Sequence, residues 1–163
     1  MRSISYTLLL LFGYAAAVAE TTGPIQVEAD RLELDQKKGV SLYQGHVRLQ
    51  RGKTLLRAER LELHGASGKV TLAIADGQPV HLEMRDQESG RITRAEAQHV
   101  EYRFNEKQIE LLGKARLWRD GDRFSGEKLL YDDGKQQVHA FGNNEQNNGR
   151  VRVILQPEKE QKQ

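Results

Sequence analysis

The hexapeptide ADRLEL, residues 29–34, returns almost unchanged as AERLEL at residues 58–63. Weaker echoes follow as AQHVEY at 97–102 and GEKLLY at 126–131, each with a small residue first and apolar residues fourth and sixth. The first and third copies begin 68 residues apart, and so do the second and fourth. Outside the phrase, the same offset lays YQGHVRL at 43–49 on LLGKARL at 111–117, glycine on glycine and arginine on arginine, and Val70 on Val138. Several matches at one offset indicate an internal duplication.

Within each unit the apolar period is two rather than 3.6. Val47 and Leu49, Leu61 and Leu63, Val70, Leu72 and Ile74, Val80, Leu82 and Met84, Val100, Tyr102 and Phe104, and Val151, Val153 and Leu155 alternate with polar neighbours. That pattern predicts half-buried strands of antiparallel type. Turn words separate them: Lys37-Lys38-Gly39, Arg51-Gly52, Ala66-Ser67-Gly68, Asp76-Gly77, Asn105-Glu106-Lys107, Asp120-Gly121 and Asp132-Asp133-Gly134. No helical periodicity accompanies them after the first twenty residues.

The repeated phrase carries a change of parity. Ile25, Val27 and Ala29 are odd-numbered, whereas Leu32 and Leu34 are even, so a single straight strand cannot place all five on one face. A bulge or tight corner is required near Asp30-Arg31, with the small residue before it allowing close backbone approach. The phrase reads as a strand end, a corner and the start of the next strand, repeated because every level of a stack needs the same corner. The expected fold is all-β, a rolled or V-shaped antiparallel sheet with inward apolar faces. Its first edge is expected near Pro24 to Ala29 and its last near Arg150 to Gln156, each left with unpaired backbone groups.

Bulk properties narrow the setting. The 163 residues are 37% hydrophobic and 29% charged, with a mean hydropathy of -0.70, as expected for one soluble domain. The 25 basic and 23 acidic residues are interspersed, so no basic stripe is present to follow a nucleic-acid backbone. Arg2, the apolar run from Leu8 to Phe12 and Ala17-Val18-Ala19 before Glu20 form the pattern of a secretory signal peptide over residues 1–19. The apolar segment is shorter than the roughly twenty residues of a spanning helix. Residues 20–156 are expected to form the domain, and 157–163 a disordered polar tail. The absence of cysteine removes disulfides, thiol chemistry and lipoprotein-type acylation.

Catalytic patterns are thin. The five histidines, at 46, 64, 81, 99 and 139, have no metal-ligand spacing and are read as solvent-facing. Asp132-Asp133-Gly134 lacks the further acids of a calcium loop and is read as a hairpin turn. Trp118 is read as an edge or core aromatic. Arg57, Arg94 and Arg123 are weighed as phosphate ligands at a groove mouth against a solvated face. No catalytic residue, metal or cofactor is assigned.

In this order, several segments resemble the LptA/OstA family of Gram-negative bacteria. They are Pro24-Ile25-Gln26-Val27-Glu28-Ala29-Asp30, Tyr43-x-Gly45-x-Val47-x-Leu49, Ala58-Glu59-x-Leu61, Gly77-Gln78-Pro79-Val80-x-Leu82, and Ala97 to Tyr102 leading to Leu111-x-Gly113-x-Ala115-x-Leu117. The resemblance implies a slightly twisted antiparallel β-jellyroll, open at both ends, and a periplasmic carrier of lipopolysaccharide. It implies an LptC-like inner-membrane partner, an LptD-like outer-membrane partner and head-to-tail self-association by strand pairing. An apolar trough for lipid A is assigned to Ile25, Val27, Leu82, Met84, Tyr102 and Phe104, with ordinary sandwich core as the competing account of each. GNNEQNNGR, residues 142–150, departs from the family and bears on the last turn. An LptC-like anchored protein and a periplasmic sugar-active enzyme stand as alternatives.

Overall fold

Each copy of the repeated phrase marks the same structural event, a break in a strand ladder. In the computed structural model, residues 23–66, 69–86, 89–143 and 149–157 are described. The proposed signal peptide and the tail beyond Pro157 lie outside the described residues. Ten strands carry the fold: β1 (Ile25–Glu28), β2 (Arg31–Asp35), β3 (Val40–Arg51), β4 (Thr54–Ala66), β5 (Lys69–Arg85), β6 (Ile92–Arg103), β7 (Gln108–Arg119), β8 (Asp122–Asp132), β9 (Gln137–Phe141) and β10 (Arg152–Ile154). They form one antiparallel sheet in sequence order, with β1 and β2 both on β3, and β9 and β10 both on β8.

Register slips at one common level in the five long ladders, between Gln44 and Val47 on β3, Arg57 and Arg60 on β4, Asp76 and Val80 on β5, Glu96 and His99 on β6, and Leu112 and Ala115 on β7, and β4 slips once more on β5 between His64 and Gly65. The common slips fall at the phrase's small residue and the one after it, Ala58-Glu59, Ala97-Gln98 and Gly126-Glu127. Ala29-Asp30 separates β1 from β2 in the same way. The strands between carry Gly45-His46 and Gly113-Lys114, all four at positive φ. A line of corners thus crosses the sheet and divides it into two arms, as the change of parity requires.

The duplication is reproduced pair by pair. Every pairing of β1 and β2 with β3 recurs 68 residues later between β6 and β7, Val27 with Leu49 becoming Ala95 with Leu117. Every pairing of β3 with β4 recurs between β7 and β8, Tyr43 with Leu61 becoming Leu111 with Leu129. The hairpin of the second unit turns on Asp120-Gly121, both at positive φ, the sequence favoured for a two-residue turn.

The arms face one another and share one core. On the first arm the inward row runs Val27, Leu49, Leu56, Leu82, Ala95, Leu117, Phe124, Val153. On the second it runs Leu32, Tyr43, Leu61, Ala75, Val100, Leu111, Leu129, Ala140. The middle members are buried and belong to a single cluster, while the outward neighbours are largely charged. There Arg60 bridges Asp76 at 3.2 Å and Glu62 at 2.5 Å, and His99 meets Asp76 at 2.7 Å. Burial raises the Glu62 carboxyl, but the Arg60 and His64 contacts outweigh it and hold the group below the usual carboxylate range.

Sequence reading placed the edges too narrowly. Each end of the ladder is a strand broken at the corner into two arms, β1 with β2 at one end and β9 with β10 at the other. Phe141 and Val151 stand where Asp76 and Val80 stand in the β4–β5 ladder, and residues 144–148 of the asparagine-rich segment between them lie outside the described residues.

Candidate functional site

A cavity of about 190 Å³ opens between the tips of the two arms. The first arm contributes Leu49, Leu56 and Leu82, and the second Ala73, Val100, Tyr102 and Phe104, with Gly23, Arg51, Gly52 and Thr54 at its mouth. These side chains converge because paired inner-face residues on neighbouring strands stand one above another, Leu49 on Leu56 on Leu82 and Ala73 on Tyr102. The rings of Tyr102 and Phe104 lie 4.5 Å apart, and the Arg51 guanidinium sits 5.0 Å from the Phe104 centroid. Burial pushes the Tyr102 hydroxyl above its ordinary pKa.

Of the six residues assigned to an apolar trough, Leu82, Tyr102 and Phe104 line this cavity. Met84 lies beside it, lining a depression of about 110 Å³ with Thr54, Tyr102 and Tyr131. Ile25 and Val27 pack against the core from the first edge, opposite Arg51 and Leu49. Parity also marked Leu49 and Val100, but the trough assignment omitted them. Arg51 was read as part of a turn, although it shares the parity of Val47 and Leu49 and so faces inward.

Arg57, Arg94 and Arg123 do not stand at the cavity mouth. Each follows or precedes an inward residue, so strand alternation sends it to the outer face of the first arm. Arg94 there bonds Glu83 at 2.9 Å, and Arg123 covers Trp118 at 5.2 Å. The inward arginines are Arg51 and Arg119, which are equivalent under the duplication. Arg119 lies 5.5 Å from the Tyr131 ring and hydrogen-bonds Gln136 across the gap between arm tips, where Arg91 also donates to Gln136 at 3.4 Å.

The apolar interior reaches the surface at both ends of the described ladder. Among the described residues every exposed large hydrophobic lies at an end of the ladder: Leu32 and Leu34 on β2, Phe141 on β9, and Val151, Val153, Ile154 and Leu155 on or beside β10. Leu32, Leu34 and Val153 belong to inward rows, so the greasy lining runs out to both open edges. The histidines fall on the outer face or at the corner, where His46 meets Asp30 at 2.7 Å. Asp132-Asp133-Gly134 forms the β8–β9 turn, with Asp132 accepting from the Lys135 amide at 2.9 Å.

A family model described as LptA/(LptD N-terminal domain) LPS transport protein matches residues 26–137. The lipopolysaccharide export system protein LptH of Pseudomonas aeruginosa is 31% identical over 144 residues, 82% of either chain. LptA of Haemophilus influenzae is 26% identical over 93% of this chain and 88% of its own length. LptA of Escherichia coli K12 is 24% identical over 87% of this chain and 76% of its own. The crystal structure of LptH, described as the LptA-homologous periplasmic component of the lipopolysaccharide transport device of Pseudomonas aeruginosa, superposes with a TM-score of 0.73. It is 28% identical and covers 83% of this chain and 96% of LptH. The LptH structure supports the jellyroll reading of the sheet.

Proposed function

Because the chain belongs to the family of LptA and LptD N-terminal domain lipopolysaccharide transport proteins, we propose that it carries lipopolysaccharide through the interior between its arms. It is a periplasmic component of the lipopolysaccharide transport bridge, in a family that transports rather than catalyses. The single observation that supports the route is the continuity of the inward apolar rows, which run to both ends and are exposed there. Each buried methylene contributes roughly 0.8 kcal/mol, so one acyl chain of a dozen carbons resists water by on the order of 9 kcal/mol. An apolar lining continued from one molecule to the next removes most of that barrier without any chemical step.

The lining begins at the cavity, with Leu82, Tyr102 and Phe104 as acyl contacts, Met84 beside them, and Ile25 and Val27 continuing it to the first edge. Open edges at the two ends suit an LptC-like partner on the inner-membrane side, an LptD-like partner on the outer-membrane side, and further copies of the chain between them. Photo-crosslinkers at Ile25, Leu82 and Phe104 are expected to capture lipopolysaccharide, and those at outward Arg48 and Glu62 are not. Equal labelling of both faces would sink the proposed route.

A further inference from the structure

The two halves of the duplication place an arginine at the same spot and surround it differently. Arg51 closes the β3–β4 hairpin opposite Thr54, and 68 residues later Arg119 closes the β7–β8 hairpin opposite Asp122. Gly52 stands where the second hairpin has Asp120. Arg119 is committed within its own chain: its Nε lies 3.4 Å from Asp120, its guanidinium covers Tyr131, and it donates to Gln136. Asp122 is occupied too, accepting from the Gln156 amide at 2.9 Å. Arg51 has no such company. Among the described residues no carboxylate is in ion-pair contact with it, and its guanidinium rests 5.0 Å from the Phe104 centroid.

Paired residues of an antiparallel ladder project from the same face, so Thr54 points inward with Arg51. Both line the mouth of the cavity of about 190 Å³, whose walls include Leu49, Leu82 and Phe104. No aspartate or glutamate lines that cavity, and the Thr54 hydroxyl has no hydrogen-bond partner among the described residues. The adjoining depression of about 110 Å³ is the opposite case, since Asp86 and Asp133 line it beside Arg91 and Arg119. A cation without a counter-charge, next to a free hydroxyl at the rim of an apolar hole, complements a molecule with a hydrocarbon tail and an anionic end.

We propose that Arg51 and Thr54 form an anion subsite at the cavity mouth, which takes the phosphate of an amphiphile whose hydrocarbon chain lies between the arms. The inference deepens the transport reading above and rests on it. The guanidinium donates paired N–H groups to two phosphate oxygens, and the threonine hydroxyl donates to a third. Apolar walls on one side of the cation limit the screening of that attraction by water and salt. Acids in the duplicate hairpin repel an anion, so the subsite belongs to the first unit alone. It orients the cargo with its charged end at the tip of the first arm and its tail inward.

A short single-chain probe suits a cavity of this size. Decyl phosphate and neutral decyl maltoside, each below its micelle-forming concentration, are compared by calorimetry on the purified protein. The wild type is expected to bind the phosphate about tenfold more tightly than the maltoside, with the gap narrowing as salt rises. Arg51→Gln should close the gap by weakening the phosphate alone, Thr54→Val should narrow it, and Arg51→Lys should keep part of it. Arg57→Gln, the same change of charge on the outer face, should leave it intact. A cavity merely loosened by the substitution weakens both probes together, so equal losses in Arg51→Gln overturn the subsite. A wild type that binds both probes without preference also overturns it, and leaves the transport reading standing. Failure of both probes to bind the wild type removes the acyl lining and the subsite with it. Inorganic phosphate in excess is expected to leave decyl phosphate bound; full displacement makes Arg51 a site for the free ion and counts against the proposal. Head-group preference and salt dependence are both read on the wild type, so the test holds even where Arg51→Gln does not fold.

Discussion

Gly45 and Gly113, equivalent under the duplication, both sit at a φ of +77°, where an L side chain is strained. A Cβ at Gly45 would meet Asp30 Oδ2 at 2.3 Å, and one at Gly113 would meet Gln98 Oε1 at 2.5 Å. The side-chain ends can turn aside, but Asp30 Cβ at 2.9 Å and Gln98 Cβ at 3.0 Å are fixed to the backbone, as is the conformation of each glycine. Gly45→Ala and Gly113→Ala are each expected to lower stability by about 1–2 kcal/mol, read as a lower urea midpoint with unchanged slope. Adding Gln98→Ala to Gly113→Ala should recover little of that loss. A second residue-level effect concerns Tyr131, buried on the second arm and donating its hydroxyl to Asp133 at 2.8 Å. Burial first, and then the Asp133 contact, push its pKa up to about 12. The folded state holds that proton more tightly than the unfolded chain, whose tyrosines titrate near ~10. The resulting stabilisation is complete below pH ~10 and is lost as pH rises through 10 to 12. Tyr131→Phe should therefore lose less stability than the wild type over that interval, and parallel curves would refute the assignment.

At the scale of elements, position along the ladder decides what a side chain contributes. Leu111 lies in mid-ladder with no exposure, whereas Leu32 occupies the same row at the open end and is 55% exposed. Leu111→Ala is expected to cost about 2–5 kcal/mol by opening a hole in packed core. Leu32→Ala should cost the monomer under ~1 kcal/mol and act on assembly instead, so denaturation midpoints and light scattering must rank the two variants oppositely. The parity of Ile25, Val27, Leu32 and Leu34 was enough to read the corner from the sequence, because side-chain alternation in a strand has a fixed period. The 68-residue offset was likewise enough to read the duplication, since paired strands repeat their partners. Alternation could not show that β2 and β9 are separate arms of the terminal levels: an edge strand keeps its period but loses its second neighbour. Nor did it separate Arg51 and Arg119 from ordinary turn residues, because each ends its strand, and its inward direction matters only once the opposing arm supplies Phe104 or Tyr131. Arg57, Arg94 and Arg123 were weighed for the mouth by charge alone, and charge carries no information about face.

For the whole molecule, volume sets the constraint on transport. Taking a methylene to fill roughly the 30 Å³ of a liquid water molecule, one chain of a dozen carbons needs on the order of 360 Å³. The cavity between the arm tips is about 190 Å³, room for no more than about one such chain. Apart from the adjoining depression of about 110 Å³, the rest of the interior is filled by the buried rows, and lipid A carries several chains. Loading therefore requires the arm tips to separate, and there, beyond the shared core, the arms are held by a few cation–ring and hydrogen-bond contacts. Arg51 over Phe104, Arg119 over Tyr131, and Arg91 and Arg119 on Gln136 make that contact. Such contacts are individually modest, on the order of 1 kcal/mol where exposed and about 2 kcal/mol for the part-buried Arg119 and Tyr131 pair. Separating the tips is thus far less costly than breaking any neighbouring pair of strands. Cysteines at Arg91 and Gln136, bridged by a short bis-maleimide, would hold the tips together in a protein with no other thiol. The tethered protein is expected to lose at least tenfold in lipopolysaccharide capture relative to the same variant left unbridged, with its denaturation midpoint undiminished. Undiminished capture with the bridge intact would mean that lipid is held outside the arms, on the surfaces at the two ends of the ladder.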